Sequence, residues 1–216
     1  MILYDTLRSG NAWKVRLLAS LLDIPLERRT LSIDRGDLKQ PAFQAIAPLG
    51  QVPVLELPDG SHLAESMSIL FYLAQGTTWW PADCQTQARV LSWMSFEQEH
   101  HMKPLAQLRL HLALHRDRDP MSEEFTRHAE QAKRALELME RQLDRQSAHG
   151  WIATSNAPSI ADVALYPYTC MAPMGGIALE SSPSVRAWLR RIEALPGYQA
   201  LFPAEPERNH STQERP

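Results

Sequence analysis

Pro48 to Leu70 reads PLGQVPVLELPDGSHLAESMSIL, and a proline stands inside its most apolar, β-branched run, Val52-Pro53-Val54-Leu55. Proline donates no backbone hydrogen bond, so in a sheet it is confined to the first residue of a strand, an edge or a bulge. Pro53 therefore marks where a strand begins. Val52-Pro53 is also an X-Pro bond, the one kind that takes the cis form at modest cost. Downstream, Pro58-Asp59-Gly60 signals a tight turn. Ser61 to Ala64 reads as a short returning strand, and the apolar run after Glu65 as a helix.

Towards the N-terminus, MILYDT is a short apolar strand. Ala12, Val15, Leu18, Ala19 and Leu22 then recur at helical spacing until Pro25. ERRTLSI alternates like a second strand, and Pro41 opens a short helical piece. The order is βαβαββα, an α/β unit over residues 1–76. GTTWWPADCQTQ has no period, so 77–85 reads as a linker. Beyond it only helices are legible, giving an all-α unit over 86–202. The first long helix carries Val90, Met94, Glu97, His101, Leu105, Leu108 and Leu112 on one stripe, with a kink expected near Pro104. In the next, Phe125, Ala129, Ala132, Leu136, Met139 and Leu143 form one apolar face. Two shorter helices follow, about Ile160 to Cys170 and Ser184 to Leu195. The polar, proline-containing 203–216 reads as a flexible tail.

Composition narrows the function classes. Of 216 residues 44% are hydrophobic, enough for a sizeable core, and the net charge of −3 comes without a dense basic run. The electrostatic footprint of a nucleic-acid binder is therefore missing. Cys84 and Cys170 lie far apart with no CxxC, which argues against a disulfide framework, a zinc ribbon or a dithiol redox motif. No run reaches the ~18 to 20 apolar residues of a membrane helix, and the N-terminus lacks the charge and apolar length of a signal peptide. A cytoplasmic location without a membrane partner is the expectation.

QVPVL, ESMSIL and Ser159-Ile160-Ala161-Asp162, in this order, resemble the cytosolic glutathione S-transferase family, in its bacterial type related to the beta and nu classes. The resemblance implies a thioredoxin-like N-terminal domain, an all-helical C-terminal domain and a homodimer. It also implies glutathione as co-substrate and a small hydrophobic electrophile as second substrate. In the family the Val52-Pro53 bond is cis, and the backbone of Val52 pairs with the cysteinyl backbone of glutathione like an added strand. Glu65 and Ser66 open the next helix, where a hydroxyl, a free N–H and the helix dipole favour an anion. The resemblance gives Ser66 the γ-glutamyl carboxylate and Glu65 the ammonium. Local sequence alone favours a plain cap, with Ser66 at the N-cap and Glu65 solvated; the matching Val52-Pro53 upstream turns the reading to ligand binding. Gln51 matches a position touching the cysteinyl-glycine end, and Lys39 or Gln40 could meet the glycine carboxylate; a solvated Lys39 is the alternative.

The nucleophile in this chemistry is the sulfur of glutathione, so the protein must make a thiolate. A thiol of pKa ~8.5 is about 3% ionised at pH 7, whereas one at ~6.5 is roughly three-quarters ionised. A hydrogen-bond donor is expected where the first strand meets the first helix, in SGNAWKV. This segment resembles bacterial transferases with Thr or Ser, then Asn. Ser9 and Asn11 are both candidates, with Ser9 as a mere helix cap in one reading. Because Ser9 stands where the beta class keeps a cysteine, a mixed disulfide at that position is excluded. Conjugation, or glutathione-dependent reduction of a peroxide or disulfide, is left.

Trp13, Met102, Arg109 and the TCMAPMGG loop are candidates for the electrophile pocket. FEQ, His101 and Arg109 resemble a bacterial subgroup's helix, and this polar stripe is read as pocket, cross-subunit contact or satisfied interface network. No metal is expected, since Glu97 and His101 have neither an HExxH pattern nor a third ligand. Ser159 and Asp162 fit a capping box, a folding determinant without chemistry. A non-catalytic adaptor binding glutathione or a protein partner, of the stress-response kind, is the competing function. The joint presence of Ser9, Asn11, Val52-Pro53 and Glu65-Ser66 favours the enzyme.

Overall fold

The structure is a computed structural model that describes residues 1–117, 119–146 and 150–201. The expected tail, 203–216, and the expected end of the helical unit at 202 lie outside the described residues. The chain opens with β1 (Ile2–Asp5), α1 (Gly10–Leu21) and β2 (Glu27–Thr30). After a 3₁₀ turn (Asp37–Lys39) come α2 (Pro41–Ile46), β3 (Val54–Glu56), β4 (His62–Ala64) and α3 (Ser66–Ala74). The sheet order is β2-β1-β3-β4, with β1 parallel to β2 and antiparallel to β3, and β3 antiparallel to β4. The parallel pair needs a crossover, which α1 supplies; the antiparallel pair closes through the Pro58-Asp59-Gly60 turn. Leu3 pairs with Leu55 at the centre, both fully buried. β3 begins one residue after Pro53, and the Val52-Pro53 bond is cis.

The second half is helical: α4 (Cys84–Phe96), α5 (Met102–Leu108), α6 (Glu123–Arg145), α7 (Ile160–Cys170) and α8 (Pro183–Glu193). α4 and α5 form one helical path joined by a π-helical turn, Glu97–His101, in which the Met102 N–H bonds to the Glu97 carbonyl. A second π-helical stretch, Arg109–His115, ends the path. The expected irregularity at Pro104 thus lies a turn earlier, where the widened turn makes room for a ring that cannot donate to His100. α6 buries Phe125, Ala132, Leu136, Met139 and Leu143, as its spacing implies. No helix among the described residues is long and apolar enough to cross a membrane.

α1 lies against α3 and α7, and its apolar side chains share one cluster with Leu3 and Leu55 of the sheet. A single apolar cluster therefore runs from Leu3 and Leu55 through α1 to Ala161, Tyr166 and Ile192. This explains why α1 buries Trp13, Lys14 and Leu17 in addition to its expected stripe. α7 is buried from Ile160 to Thr169. Its start is fixed by Asp162, whose carboxylate accepts from Ser159 N–H (2.9 Å), Ser159 Oγ (3.1 Å), Ile152 N–H (3.0 Å) and Trp188 Nε1 (2.8 Å). Burial pushes the Asp162 carboxyl above its usual range, and these donors oppose the shift. The expected capping box is present and also ties down the 152 segment and α8. Removing a buried hydrogen-bond partner costs ~1 to 3 kcal/mol for each donor it orphans, so Asp162→Ala should lose more than about 3 kcal/mol in urea unfolding. Wild-type stability in that variant would contradict this role.

Candidate active site

Asn11, Gln51, Val52, Pro53, Glu65 and Ser66 line one groove. Three backbone features converge on it. Ser9 is the N-cap of α1, with its Oγ accepting from Ala12 N–H at 3.1 Å, so the N–H groups of the first turn point out of the helix. Glu65 is the N-cap of α3 and Ser66 its first helical residue, so the local alternative of Ser66 as N-cap is not what forms. Between the two helix starts runs Val52, whose N–H and C=O take no backbone hydrogen bond among the described residues. A positive helix end on either side and an unpaired strand edge between them make a cradle for an extended, anionic peptide.

Side chains complete the groove. Ser66 is buried at 4% exposure, whereas Glu65 is exposed with φ 67° and ψ 119°, a backbone conformation costly for a residue with a Cβ. Asn11 is half-buried, and its Oδ1 is buried without a partner. An amide that turns over presents either a carbonyl oxygen to a thiol or an NH₂ to a thiolate. Ser9 does not line the groove; with its oxygen capping α1, its O–H proton stays free to donate. Lys39 and Gln40 are exposed and outside the lining. Gly50 nevertheless brings their turn close: φ is 59°, and a Cβ there would stand 3.2 Å from the Leu38 carbonyl oxygen. A roomier hollow of about 440 Å³ beside Arg89, Trp93 and Gln142 offers no comparable set of converging groups.

Behind the groove, α1 meets the helical half through polar groups. Lys14 Nζ lies 2.8 Å from Glu97 Oε1, both side chains fully buried. Burial lowers the Lys14 pKa and raises that of Glu97, and their mutual contact opposes both shifts. His101 Nε2 meets Thr169 Oγ1 at 2.8 Å, while its Nδ1 is buried without a partner. The polar stripe is an interface network within one chain. Arg109 sends both Nη atoms to the Arg8 carbonyl oxygen at 3.1 Å, bracing the loop that leads to Ser9. Trp13 is not brought to the groove: it is buried between the halves, edge-on to Tyr166, donating Nε1 to the Gln199 carbonyl. Met102 packs half-buried against the core.

Tyr168 was not singled out by sequence, yet it closes the start of α1. Its ring leaves no room for a Cβ at Gly10, which would stand 2.8 Å from Cζ. Burial first, and the charge of Glu97 next, push its phenol up to about 12, so it keeps its proton at neutral pH. The SGN spacing carries the one signal for it, a glycine at a helix start that a packed ring requires.

The N-terminal domain model of glutathione S-transferases matches residues 8–75 and the C-terminal domain model matches 102–196. A crystal structure of a glutathione S-transferase from Pseudomonas fluorescens is 35% identical, with a TM-score of 0.88 over 93% of this chain and 98% of that one. Glutathione S-transferase 3 of Zea mays is 30% identical over 94% of both chains. A Burkholderia graminis glutathione transferase, solved with two glutathione molecules bound per subunit, is 25% identical with a TM-score of 0.79, over 91% of this chain and 84% of that one. The fold and the groove define a thioredoxin-like domain joined to a helical one in the transferase arrangement. This chain belongs to the glutathione S-transferase family.

His101 supplies a test of the packing behind the groove. Burial first, then the Lys14 charge, pull it down from 6.5 to about 3, so the fold favours its neutral form. Its contribution is whole above the unfolded pKa of ~6.5 and is lost as pH falls toward about 3. Between those limits His101 should steepen the stability–pH curve by about 1.4 kcal/mol per pH unit. Urea midpoints across pH 4 to 7 should be flatter by that amount in His101→Gln; parallel curves would show that His101 is not buried neutral.

Proposed function

We propose that the chain binds glutathione in the groove between α1 and α3, lowers its thiol pKa, and delivers the thiolate to a small hydrophobic electrophile. The observation that carries this is the convergence of two helix N-termini, the unpaired Val52 edge and the orphaned Asn11 amide. In this reading the cysteinyl backbone pairs with Val52 beside cis Pro53. The γ-glutamyl carboxylate meets the Ser66 hydroxyl and the α3 N–H groups, and Glu65 takes the ammonium. The glycine end lies toward Gln51, with Lys39 and Gln40 at the rim. Asn11 is the principal sulfur ligand, because its amide lines the groove unpartnered while the Ser9 oxygen is held by Ala12. The Ser9 hydroxyl proton is a second donor.

The electrophile enters from the helical side, where Arg109 braces the Arg8 loop and the protonated Tyr168 stands over Gly10. Met102 remains a lining candidate further along the same helix. A second glutathione, as in the Burkholderia graminis relative, suits reduction of a peroxide or disulfide at the same thiolate. We also place the domain division within 77–85, ahead of the start of α4 at Cys84, and the enzyme in the cytoplasm, where Cys84 and Cys170 stay as free thiols. A homodimer fits the exposed apolar Phe71 and Tyr72 of α3 and Leu91 of α4.

Ser66→Ala should weaken glutathione binding at least about tenfold, the worth of one hydrogen bond to a charged group, with kcat nearly unchanged. Equal affinity by calorimetry would remove the carboxylate from that spot. Ultraviolet titration of bound glutathione should show the thiol pKa raised by about one unit in Asn11→Ala and by less in Ser9→Ala. An unmoved titration in Asn11→Ala would contradict the sulfur assignment. Glutathione binding without turnover of chlorodinitrobenzene, a peroxide or a mixed disulfide would favour the adaptor.

A further inference from the structure

The helical path that begins at α4 ends in three potential ligands that the groove does not use. His111 and His115 lie four residues apart in the π-helical stretch, so their rings share one side of the helix. Arg116 then takes a left-handed conformation, φ 55° and ψ 38°, and the Asp117 N–H donates back to the His111 carbonyl at 3.3 Å. This reversal carries the Asp117 carboxylate against both imidazoles. Its Oδ1 is 2.7 Å from His111 Nδ1 and its Oδ2 is 3.8 Å from His115 Nδ1. One donor atom from each residue lies within 4.8 Å of the other two.

We propose that His111, His115 and Asp117 form a binding site for a divalent transition-metal ion of the zinc class. Two imidazole nitrogens and one carboxylate oxygen are a borderline donor set suited to Zn²⁺, Co²⁺, Ni²⁺ and Cu²⁺ rather than to Mg²⁺ or Ca²⁺. Three protein ligands leave a position for water or another ligand. A hydrogen bond between His111 and Asp117 accounts for their 2.7 Å contact alone. It does not account for His115 turning the corresponding nitrogen toward the other oxygen of the same carboxylate. The location adds to the attraction, since the unpaired carbonyls at a helix C-terminus favour a cation. The His111 side chain is 18% exposed, His115 54% and Asp117 47%, which leaves a path for the ion.

An ion here would clamp the end of the helix to the connection that follows it. The same π-helical stretch begins at Arg109, which holds the Arg8 loop, so the clamp stiffens the helical wall of the electrophile entrance. None of the three ligands lines the glutathione groove, and glutathione binding stands or falls separately.

The test uses the full chain stripped with a chelator and titrated with Zn²⁺ by calorimetry, and with Co²⁺ by visible absorption. One ion per chain is expected, with Co²⁺ developing the d–d bands of nitrogen and oxygen ligation. His115→Ala and Asp117→Asn alter exposed side chains and should keep the wild-type circular dichroism while weakening Zn²⁺ at least about tenfold. His100→Ala, exposed on the same path but away from the cluster, should leave Zn²⁺ binding unchanged. Absence of saturable one-to-one binding would overturn the proposal, as would Zn²⁺ affinity and Co²⁺ spectra unmoved by His115→Ala and Asp117→Asn.

Discussion

A helix covered on both sides cannot carry a charge without its partner, and α1 carries Lys14. Its ammonium is fully buried and reaches Glu97, itself fully buried, at 2.8 Å. Such a pair adds little to stability over an apolar replacement, but removing one member strands a charge at a cost of about 3 to 5 kcal/mol. Its value here is registry: α1 has one depth and one rotation at which Lys14 meets Glu97. Arg109, further along the path that carries Glu97, holds the loop before α1 through the Arg8 carbonyl. The start of α1 is thereby fixed from the helical half, and Asn11 with it.

The groove is made more by backbone than by side chains. Helix starts at Ser9 and Glu65 supply oriented N–H groups, and Val52 supplies an open strand edge. Such groups need no reorganisation when a ligand arrives, so the strength of the cradle depends on holding the elements still. The left-handed φ of Glu65 fits that demand. It leaves Glu65 exposed at the rim of the groove with Ser66 buried beside it, at a local cost that the packing of α3 against α1 and α7 offsets.

Much of this was legible in the sequence, for physical reasons. Pro53 can only start a strand, PDG can only turn, and the α6 stripe steps at helical period, so element order and type followed from local rules. The groove residues Asn11, Gln51, Val52, Pro53, Glu65 and Ser66 were likewise nameable, because short motifs place them. Lys14 was not, since burial of a lysine between two apolar neighbours depends on a partner 83 residues away. Trp13 drew attention as a pocket aromatic for the same reason: its position on α1 was clear, but not that α7 covers it. Lys39 and Gln40 sit on a loop whose distance from the groove no local pattern encodes. The π-helical turn near Pro104 was half visible, as a disturbance whose place depended on packing.

A structure of the chain solved with glutathione measures the central claim directly. The account expects the cysteinyl N–H and C=O paired with Val52, the γ-glutamyl carboxylate within hydrogen-bond distance of Ser66, and the sulfur beside Asn11. A tripeptide seated elsewhere, or one in this groove with Val52 left unpaired, would contradict it.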